Sequence, residues 1–250
     1  MQNEIGVSII TPLYNYARYI ADNIKSVKKS GDFSNMQYEH IIIDDFSTDN
    51  PDIEVNKNIH DKAIYIKRDK NGGMSSTRNT GLRASKFCYV CFLDSDDLLT
   101  KTSISDRISK LKNGYDLVHG PAWSCCNRDK KINKEWYEWP KMSKTNEAYR
   151  FIHAQGVCCK KDLFTKFGLF DENLIWKADR ELWSRLINRG INIGTVESPV
   201  AYYRSHDKQW SKHPKKLKNN KRLTSELKKL IEIRKTNLSG LGFLTLIKPL

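Results

Sequence analysis

No stretch of this 250-residue sequence approaches the roughly 20 consecutive apolar residues that a bilayer-crossing helix requires. The apolar tail Leu238–Leu250 is interrupted by Ser, Gly, Thr, Lys and Pro, so it can touch a membrane or a neighbouring subunit but cannot span one. Met1–Gly6 lacks the basic region and apolar stretch of a signal peptide, and Val7–Ile10 is too short to supply one. The six cysteines are Cys88, Cys91, Cys125, Cys126, Cys158 and Cys159. One Cys-x-x-Cys and two adjacent pairs make a poor disulfide framework, and no second pair stands at zinc-site spacing. A reducing, cytoplasmic setting is expected, with Cys88 and Cys91 packed as small apolar side chains. Internal repeats are lacking. Thr11–Asn15, just after the first apolar run, contains no glycine, which disfavours a nucleotidyltransferase with its phosphate loop at that point.

Acidic residues are also in short supply. Against 43 Lys and Arg there are 29 Asp and Glu, a formal net charge of +14. The excess is uneven: residues 208–235 hold eleven Lys/Arg and two Glu, leaving 32 basic and 27 acidic residues elsewhere. A boundary near residue 207 therefore separates a main domain, 1–207, from a basic helical extension, 208–250. In the extension Leu223, Leu227, Leu230 and Ile231 recur at helical spacing. Such a segment either covers the core as a solvated helix or contacts an anionic membrane surface or a protein partner, which would make the protein peripheral at a membrane. A competing reading is a nucleic-acid or anionic-surface binding protein, with basic residues near Trp123, Trp136, Trp139 and Trp210 holding phosphates and stacking bases. No nucleic-acid motif supports it, and the charge is concentrated beyond residue 207.

What is present is an alternation of short apolar runs and helical patterns. Val7–Thr11, His40–Ile43, Ala63–Ile66, Tyr89–Leu93 and Leu117–His119 read as strands. Ile20, Ile24 and Val27 fall on one helical face, Ser75 is positioned to cap a helix over Ser76–Lys86, and Ile104, Ile108 and Leu111 mark another helix closed near Asn113-Gly114. Leu182, Leu186 and Ile187 define a later helix, and Ile191–Val196 and Val200–Tyr203 late strands. The segment from about Pro121 to Tyr149 shows little periodicity. The order predicts an α/β fold with a mostly parallel sheet flanked by helices, and ligands in such sheets collect beyond the carboxyl ends of the strands.

Two of those strands end in carboxylates. Phe92-Leu93-Asp94-Ser95-Asp96-Asp97 puts three acids within four residues, where mutual repulsion makes full ionisation costly. A divalent cation, Mn²⁺ or Mg²⁺, would relieve that cost and bridge to a diphosphate; a solvated acidic turn is the plainer alternative. Ile43-Asp44-Asp45-Phe46-Ser47-Thr48-Asp49 offers acceptors for a base or ribose hydroxyl, or an Asx-turn. Asn71-Gly72-Gly73 through Arg78 and Gly81 allows close backbone approach, with Arg78 in reach of a phosphate.

With Val7-Ser8-Ile9-Ile10-Thr11-Pro12-Leu13-Tyr14-Asn15 at the front, these motifs in this order resemble the family 2 glycosyltransferases, whose nucleotide-binding half has the GT-A fold. The resemblance covers roughly residues 5–205. It implies a nucleotide-binding half over about 1–120 and an acceptor half over about 121–207. It also implies a nucleotide-sugar donor, UDP-linked by the family's habit, and a glycan or other hydroxyl acceptor. Thr11, Pro12 and Tyr14 would line the nucleoside pocket, and Asp45 would pair with the base, with Asp44 beside it. Arg78 would lie against base or diphosphate, Asp94 would face the ribose or sugar, and Asp96 would be the main metal ligand. Phe46 departs from the small residue, often glycine, that the family carries there. Gly168-Leu169-Phe170-Asp171-Glu172 resembles the acceptor-side loop. In Lys177-Ala178-Asp179-Arg180-Glu181 the second member of the family's acidic pair is Asp179, the implied general base of an inverting transfer, with Glu181 in reserve. Tyr202-Tyr203-Arg204-Ser205-His206 resembles the element in which a histidine approaches the metal or diphosphate, so Arg204 would neutralise the leaving nucleotide and His206 would join the metal shell. His153 falls where an acceptor wall would lie, and His119 reads as structural.

Overall fold

A computed structural model describes residues 4–30, 36–126, 135–137, 152–174 and 177–209, and everything below concerns these. Trp139, Trp210 and the extension from residue 210, with the readings attached to them, lie outside the described residues.

The long apolar run at the front forms β1 (Glu4–Leu13), and the chain then turns at Asn15, whose φ of 55° is left-handed. α1 (Ala17–Lys29) follows, its Lys28 and Lys29 complementing the negative end of the helix dipole. β2 (Gln37–Asp44), α2 (Asp52–Asn58), β3 (Ala63–Lys67), α3 (Gly73–Ala84) and β4 (Phe87–Phe92) complete the first half. The second half comprises β5 (Leu98–Leu99), α4 (Ser103–Lys112), β6 (Leu117–His119), β7 (Ala122–Cys126) and β8 (Glu135–Tyr137). β9 (Val157–Lys160), α5 (Asp162–Phe167), α6 (Ala178–Asn188), β10 (Ile193–Thr195) and β11 (Ala201–Ser205) end it.

Seven strands form the main sheet in the order β10-β6-β9-β4-β1-β2-β3. β3, β2, β1 and β4 are mutually parallel, whereas β9 runs antiparallel to both β4 and β6. The expected mostly parallel sheet is therefore present, with one reversed strand that lacked a periodic signal because Val157–Cys159 are buried on both faces. Strand alternation sorts the core into two layers. Ile10, Ile41 and Ile43 face α3, α5 and α6 through Leu82, Phe164, Leu182 and Trp183. Val7, Ile9 and Ile42 face the opposite way, toward Ile20, Ile24 and Val27 of α1, Val55 of α2 and Ile104 and Ile108 of α4. At Gly81 a Cβ would lie 2.4 Å from Ile10 Cγ2 and 2.8 Å from Ile43 Cδ1, so its glycine lets α3 press onto the sheet.

α3 begins earlier than the sequence suggested. Ser75 is not its cap: Gly72 holds that position, and the Asp45 carboxylate takes the Gly72 and Gly73 amides from across the sheet end. Ser75 Oγ donates instead to the Leu174 carbonyl.

β1 lies between β2 and β4, so the connections leave it on one side and return on the other. That reversal opens a crevice at the carboxyl ends of β1 and β4. A second sheet, β5-β11-β7-β8, stands beside it. Its β5 directly follows the acidic turn and pairs antiparallel with β11 (Ala201↔Leu99, Tyr202↔Leu98). This pairing carries residues 204–206 back onto Asp94–Asp97.

Candidate active site

The crevice is edged by the loops after β1, β2 and β4. On the β2 side Asp44 Oδ1 accepts the Ser47 amide at 2.9 Å and Oδ2 the Tyr65 hydroxyl at 3.1 Å, so this carboxylate shapes its own loop. Asp45 accepts Arg68 Nη1 at 2.5 Å, Gly72 N at 2.9 Å and Gly73 N at 2.8 Å. Arg68 also donates to Ser76 Oγ at 2.8 Å and Thr77 Oγ1 at 3.2 Å, fastening the glycine loop to the strand end. The loop after β1 is latched to that after β2: Asn15 N donates to Ser47 Oγ, and Thr48 N to Asn15 Oδ1. Phe46 holds φ 65° in this latch, the left-handed conformation its loop demands despite a bulky side chain. Tyr14 and Phe46 are exposed at this rim. Thr11 is fully buried, with Oγ1 2.9 Å from His40 Nε2, and Pro12 is buried beside it.

On the β4 side the acids converge. Arg78 Nη2 donates to Asp94 Oδ1 at 2.7 Å, and its guanidinium lies 5.5 Å from the centre of the Phe170 ring. Asp97 N closes the turn on Asp94 O at 2.9 Å. Asp96 Oδ2 stands 3.1 Å from His206 Nε2, although 110 residues separate the two in sequence. Asp97 Oδ1 accepts the Arg204 amide at 2.8 Å, and the Arg204 guanidinium sits 5.0 Å over Tyr19 and 3.5 Å from Asp22 Oδ2. Burial raises the Asp96 carboxyl above its usual range and the charge of Asp94 adds to that, while the bond to His206 opposes it. Asp97 is raised well above that range by burial first, then by Asp96 and Asp94.

The turn is thus a place where negative charge is crowded and out of water. Buried Asp97 Oδ2, His206 Nδ1 and Arg204 Nη1 have no hydrogen-bond partner among the described residues. Asp96 and His206 are the residues here that could hold a divalent cation. The two side chains meet at 3.1 Å, so both reach one point; the carboxylate is the oxygen ligand that Mn²⁺ or Mg²⁺ favours, and the imidazole nitrogen is a further donor. Among the described residues no three His, Cys, Asp or Glu side chains gather as a complete cage.

The structure thus brings together Asp94, Asp96, Arg78, Arg204 and His206, and sets Asp45, Asp44 and Thr11 in supporting bonds along the neighbouring strand ends. Asp179 lies in the first turn of α6, half-buried, its Oδ1 accepting the Arg180 amide at 2.9 Å. No hydrogen bond or ion pair among the described residues joins it to the acidic turn. It does share a helical face with Trp183, whose ring lies 6.4 Å from Phe92 and 6.1 Å from Phe170. Glu181 is buried and paired with Arg185. The acceptor-side loop rides on α3: Asn79 exchanges bonds with Phe170 N and O and donates to Glu172. His119 is buried among the core elements, its pKa lowered by burial to about 4. Cys91 is buried and Cys88 half-buried; these and Cys158 and Cys159 are free thiols.

Sequence reasoning missed Arg68, Tyr16, Tyr19 and Asn23. Arg68 directly follows Lys67, the register partner of Asp44, which puts it level with Asp45, a signal readable only after strands β2 and β3 are aligned. The α1 residues follow a helical spacing, yet Ile20, Ile24 and Val27 alone suffice to explain the helix. Among the described residues no helix is long and apolar enough to cross a membrane.

The sequence profile of Glycosyl transferase family 2 matches residues 8–171. TuaG of Bacillus subtilis, a glycosyltransferase named for teichuronic acid biosynthesis, is 36% identical over 206 residues, covering 79% of this chain and 78% of TuaG. Other curated relatives are longer, and the chain spans 23% to 58% of their length. Staphylococcus aureus TarS 1-349 in complex with UDP-GlcNAc superposes with a TM-score of 0.71 at 18% identity, covering 92% of this chain and 66% of that one. The mannosyltransferase PcManGT from Pyrobaculum calidifontis, in complex with GDP-Man and Mn²⁺, gives 0.63 at 17% identity, covering 83% and 59%. The profile spans well over half of the sequence, and the chain belongs to glycosyl transferase family 2, with its GT-A fold.

Proposed function

We propose that this protein is an inverting glycosyltransferase that moves a sugar from a UDP-sugar to a hydroxyl of a polysaccharide acceptor. The observation that carries this reading is the meeting of Asp96 and His206 at 3.1 Å, beside Asp94 and Arg204, at the reversal point of the sheet. The UDP-GlcNAc bound by TarS supports the donor class, and the pathway in the name of TuaG supports the acceptor class. Cys88, Cys91, Cys158 and Cys159 are free thiols among the described residues, which supports a reducing site of action.

Asp45 and Tyr14 receive the base at the β1–β2 edge, with Asp44, Thr11 and Pro12 holding that edge in shape. Arg78 keeps Asp94 oriented toward the ribose or sugar. Asp96 and His206 hold the cation; when bound, Mn²⁺ or Mg²⁺ stabilises the negative charge of the departing diphosphate. Arg204, whose Nη1 is buried and unsatisfied, offers that diphosphate a further donor. The Asp179 carboxylate takes the acceptor hydroxyl's proton as that oxygen attacks the anomeric carbon from the side opposite the diphosphate, which inverts the configuration. Nucleotide binding precedes through residues of about 1–120, and the acceptor enters against about 121–207.

The test is a thermal-shift and transfer assay with UDP-, GDP- and dTDP-sugars, with Mn²⁺ or Mg²⁺, on wild type, Asp96→Ala and Asp179→Ala. Both variants should lose transfer, and only Asp96→Ala should lose metal-dependent stabilisation by the nucleotide. Normal transfer by either variant removes that residue from its role, and stabilisation by no nucleotide removes the enzyme reading.

A further inference from the structure

α1 turns one face toward the acidic turn, and what it presents there is not what holds the helix to the sheet. Ile20, Ile24 and Val27 pack into the core. Tyr16, Tyr19 and Asn23, spaced by three and four residues, lie along the adjacent stripe. The imidazole of His206 sits against both tyrosines: its centre is 4.6 Å from that of Tyr19, tilted by 36°, and 5.4 Å from that of Tyr16, edge-on at 83°. The two tyrosine rings lie 5.8 Å apart at 77°, so they form a corner rather than a flat wall. The Tyr16 hydroxyl donates to the Lys208 carbonyl at 3.2 Å, pinning the backbone just past the histidine. One turn further along, fully buried Asn23 donates from Nδ2 to Asp94 O at 3.0 Å and to Asp97 O at 2.9 Å. Those carbonyls are the two ends of the turn that carries Asp96.

We propose that this face of α1, through Tyr16, Tyr19 and Asn23, positions the Asp96 carboxylate and the His206 imidazole relative to each other for cation binding. The inference rests on the cation site read above. Asp96 and His206 reach the site on separate elements, the turn after β4 and the end of β11. A single rigid helix that grips both fixes their separation, where independent attachment would leave it to two loops. Partners of this kind around metal ligands change affinity by about 10- to 100-fold when removed. The three are positioning residues: in the structure they touch the ligands and the backbone around them.

The experiment measures free Mn²⁺ by electron paramagnetic resonance in titrations of the full chain at saturating UDP, for wild type, Tyr19→Leu, Tyr19→Phe, Asn23→Ala and Asn23→Ser. Tyr19→Leu and each Asn23 variant should weaken Mn²⁺ by about tenfold or more and raise the Mn²⁺ needed for half-maximal transfer, and the Asn23 variants should leave kcat at saturating Mn²⁺ near wild type. Tyr19→Phe keeps the aromatic wall and should stay within about twofold of wild type, well short of the outer-shell loss. UDP binding without metal should be unchanged in Tyr19→Phe and the Asn23 variants, which a merely structural defect would not allow; Tyr19→Leu also removes the ring beneath the Arg204 guanidinium. Two substitution sites keep the question open should one variant fail to fold. Wild-type Mn²⁺ affinity in the folded Leu, Ala and Ser variants, or equal loss of metal-free UDP binding, overturns the positioning role while the cation site stands. No Mn²⁺ binding by wild type overturns the cation site and the inference with it.

Discussion

Asp45 is the most connected acid at the crevice edge, and replacing it should cost stability before it costs recognition. Its carboxylate is 3% exposed and serves three donors: Arg68 Nη1 at 2.5 Å and the amides of Gly72 and Gly73. Asp45→Ala strands the Arg68 guanidinium, 17% exposed, among Ser76, Thr77 and the strand end. Breaking a buried pair by removing one partner costs about 3–5 kcal/mol, and the partial exposure of Arg68 puts this site at the lower end. The two amides add little, because they belong to an exposed loop and water replaces the lost acceptor. A loss of about 3 kcal/mol is expected, which at a urea slope of about 3 kcal/mol/M moves the midpoint down by about 1 M. Urea unfolding followed by circular dichroism reads it directly. A double-mutant cycle with Arg68→Ala should recover at least about 1 kcal/mol of coupling. A single-mutant loss under about 1 kcal/mol, or additive behaviour of the pair, would refute the reasoning and return Asp45 to a role in base recognition alone.

Arg185→Met should destabilise by about 3–5 kcal/mol, since it takes the guanidinium away from buried Glu181 and from the carbonyls of Phe167, Gly168 and Leu169; urea unfolding checks it. Gly81→Ala should cost about 1–3 kcal/mol by overpacking, because its methyl would meet Ile10 and Ile43 at 2.4 and 2.8 Å; a Tm unchanged from wild type would show that α3 shifts freely. Below neutral pH the protein should weaken through its buried histidines. His40 is lowered to about 3 by burial and by nearby His60, and His119 to about 4 by burial, so the unfolded chain binds protons near pH 6.5 while the folded one does not. Their contribution is complete above about pH 6.5 and is lost at about 1.4 kcal/mol per pH unit per histidine on the way down toward pH 4. Replacing His119 with Phe should flatten that slope in urea titrations at pH 6.5 and 4.5.

The parallel half of the fold was legible because a strand buried on both faces is written as an uninterrupted apolar run, and β1, β2 and β4 each contain one. α1 and α4 were legible because one side of each is solvated, which leaves a helical period in the sequence; α6 has no exposed residue, and Leu182, Leu186 and Ile187 marked it by spacing alone. β9 and α5 left no such trace. β9 spans four residues, Val157–Lys160, and its direction is set by its two neighbours rather than by its own pattern. α2 follows Pro51 and keeps only Val55 in the core, too little for a periodic signal.

The site was legible to the extent that one residue type carries one chemistry. Acids crowded at a strand end are not explained by core packing, so Asp94, Asp96 and Asp97 stand out in the sequence, although a solvated acidic turn reads the same way until the neighbouring motifs are added. What surrounds them is made of residues with ordinary reasons to exist. A tyrosine on a helix packs, an asparagine on a helix is unremarkable, and an arginine after a strand is a surface charge until the strands are aligned. The same ambiguity explains the capping of α3: Ser75 satisfied the local rule, but Asp45, 28 residues earlier than Gly73, already occupied the amides through the sheet. Positioning residues act through geometry set by the whole fold. They become visible only when β5 pairs with β11 and carries His206 back to within 3.1 Å of Asp96.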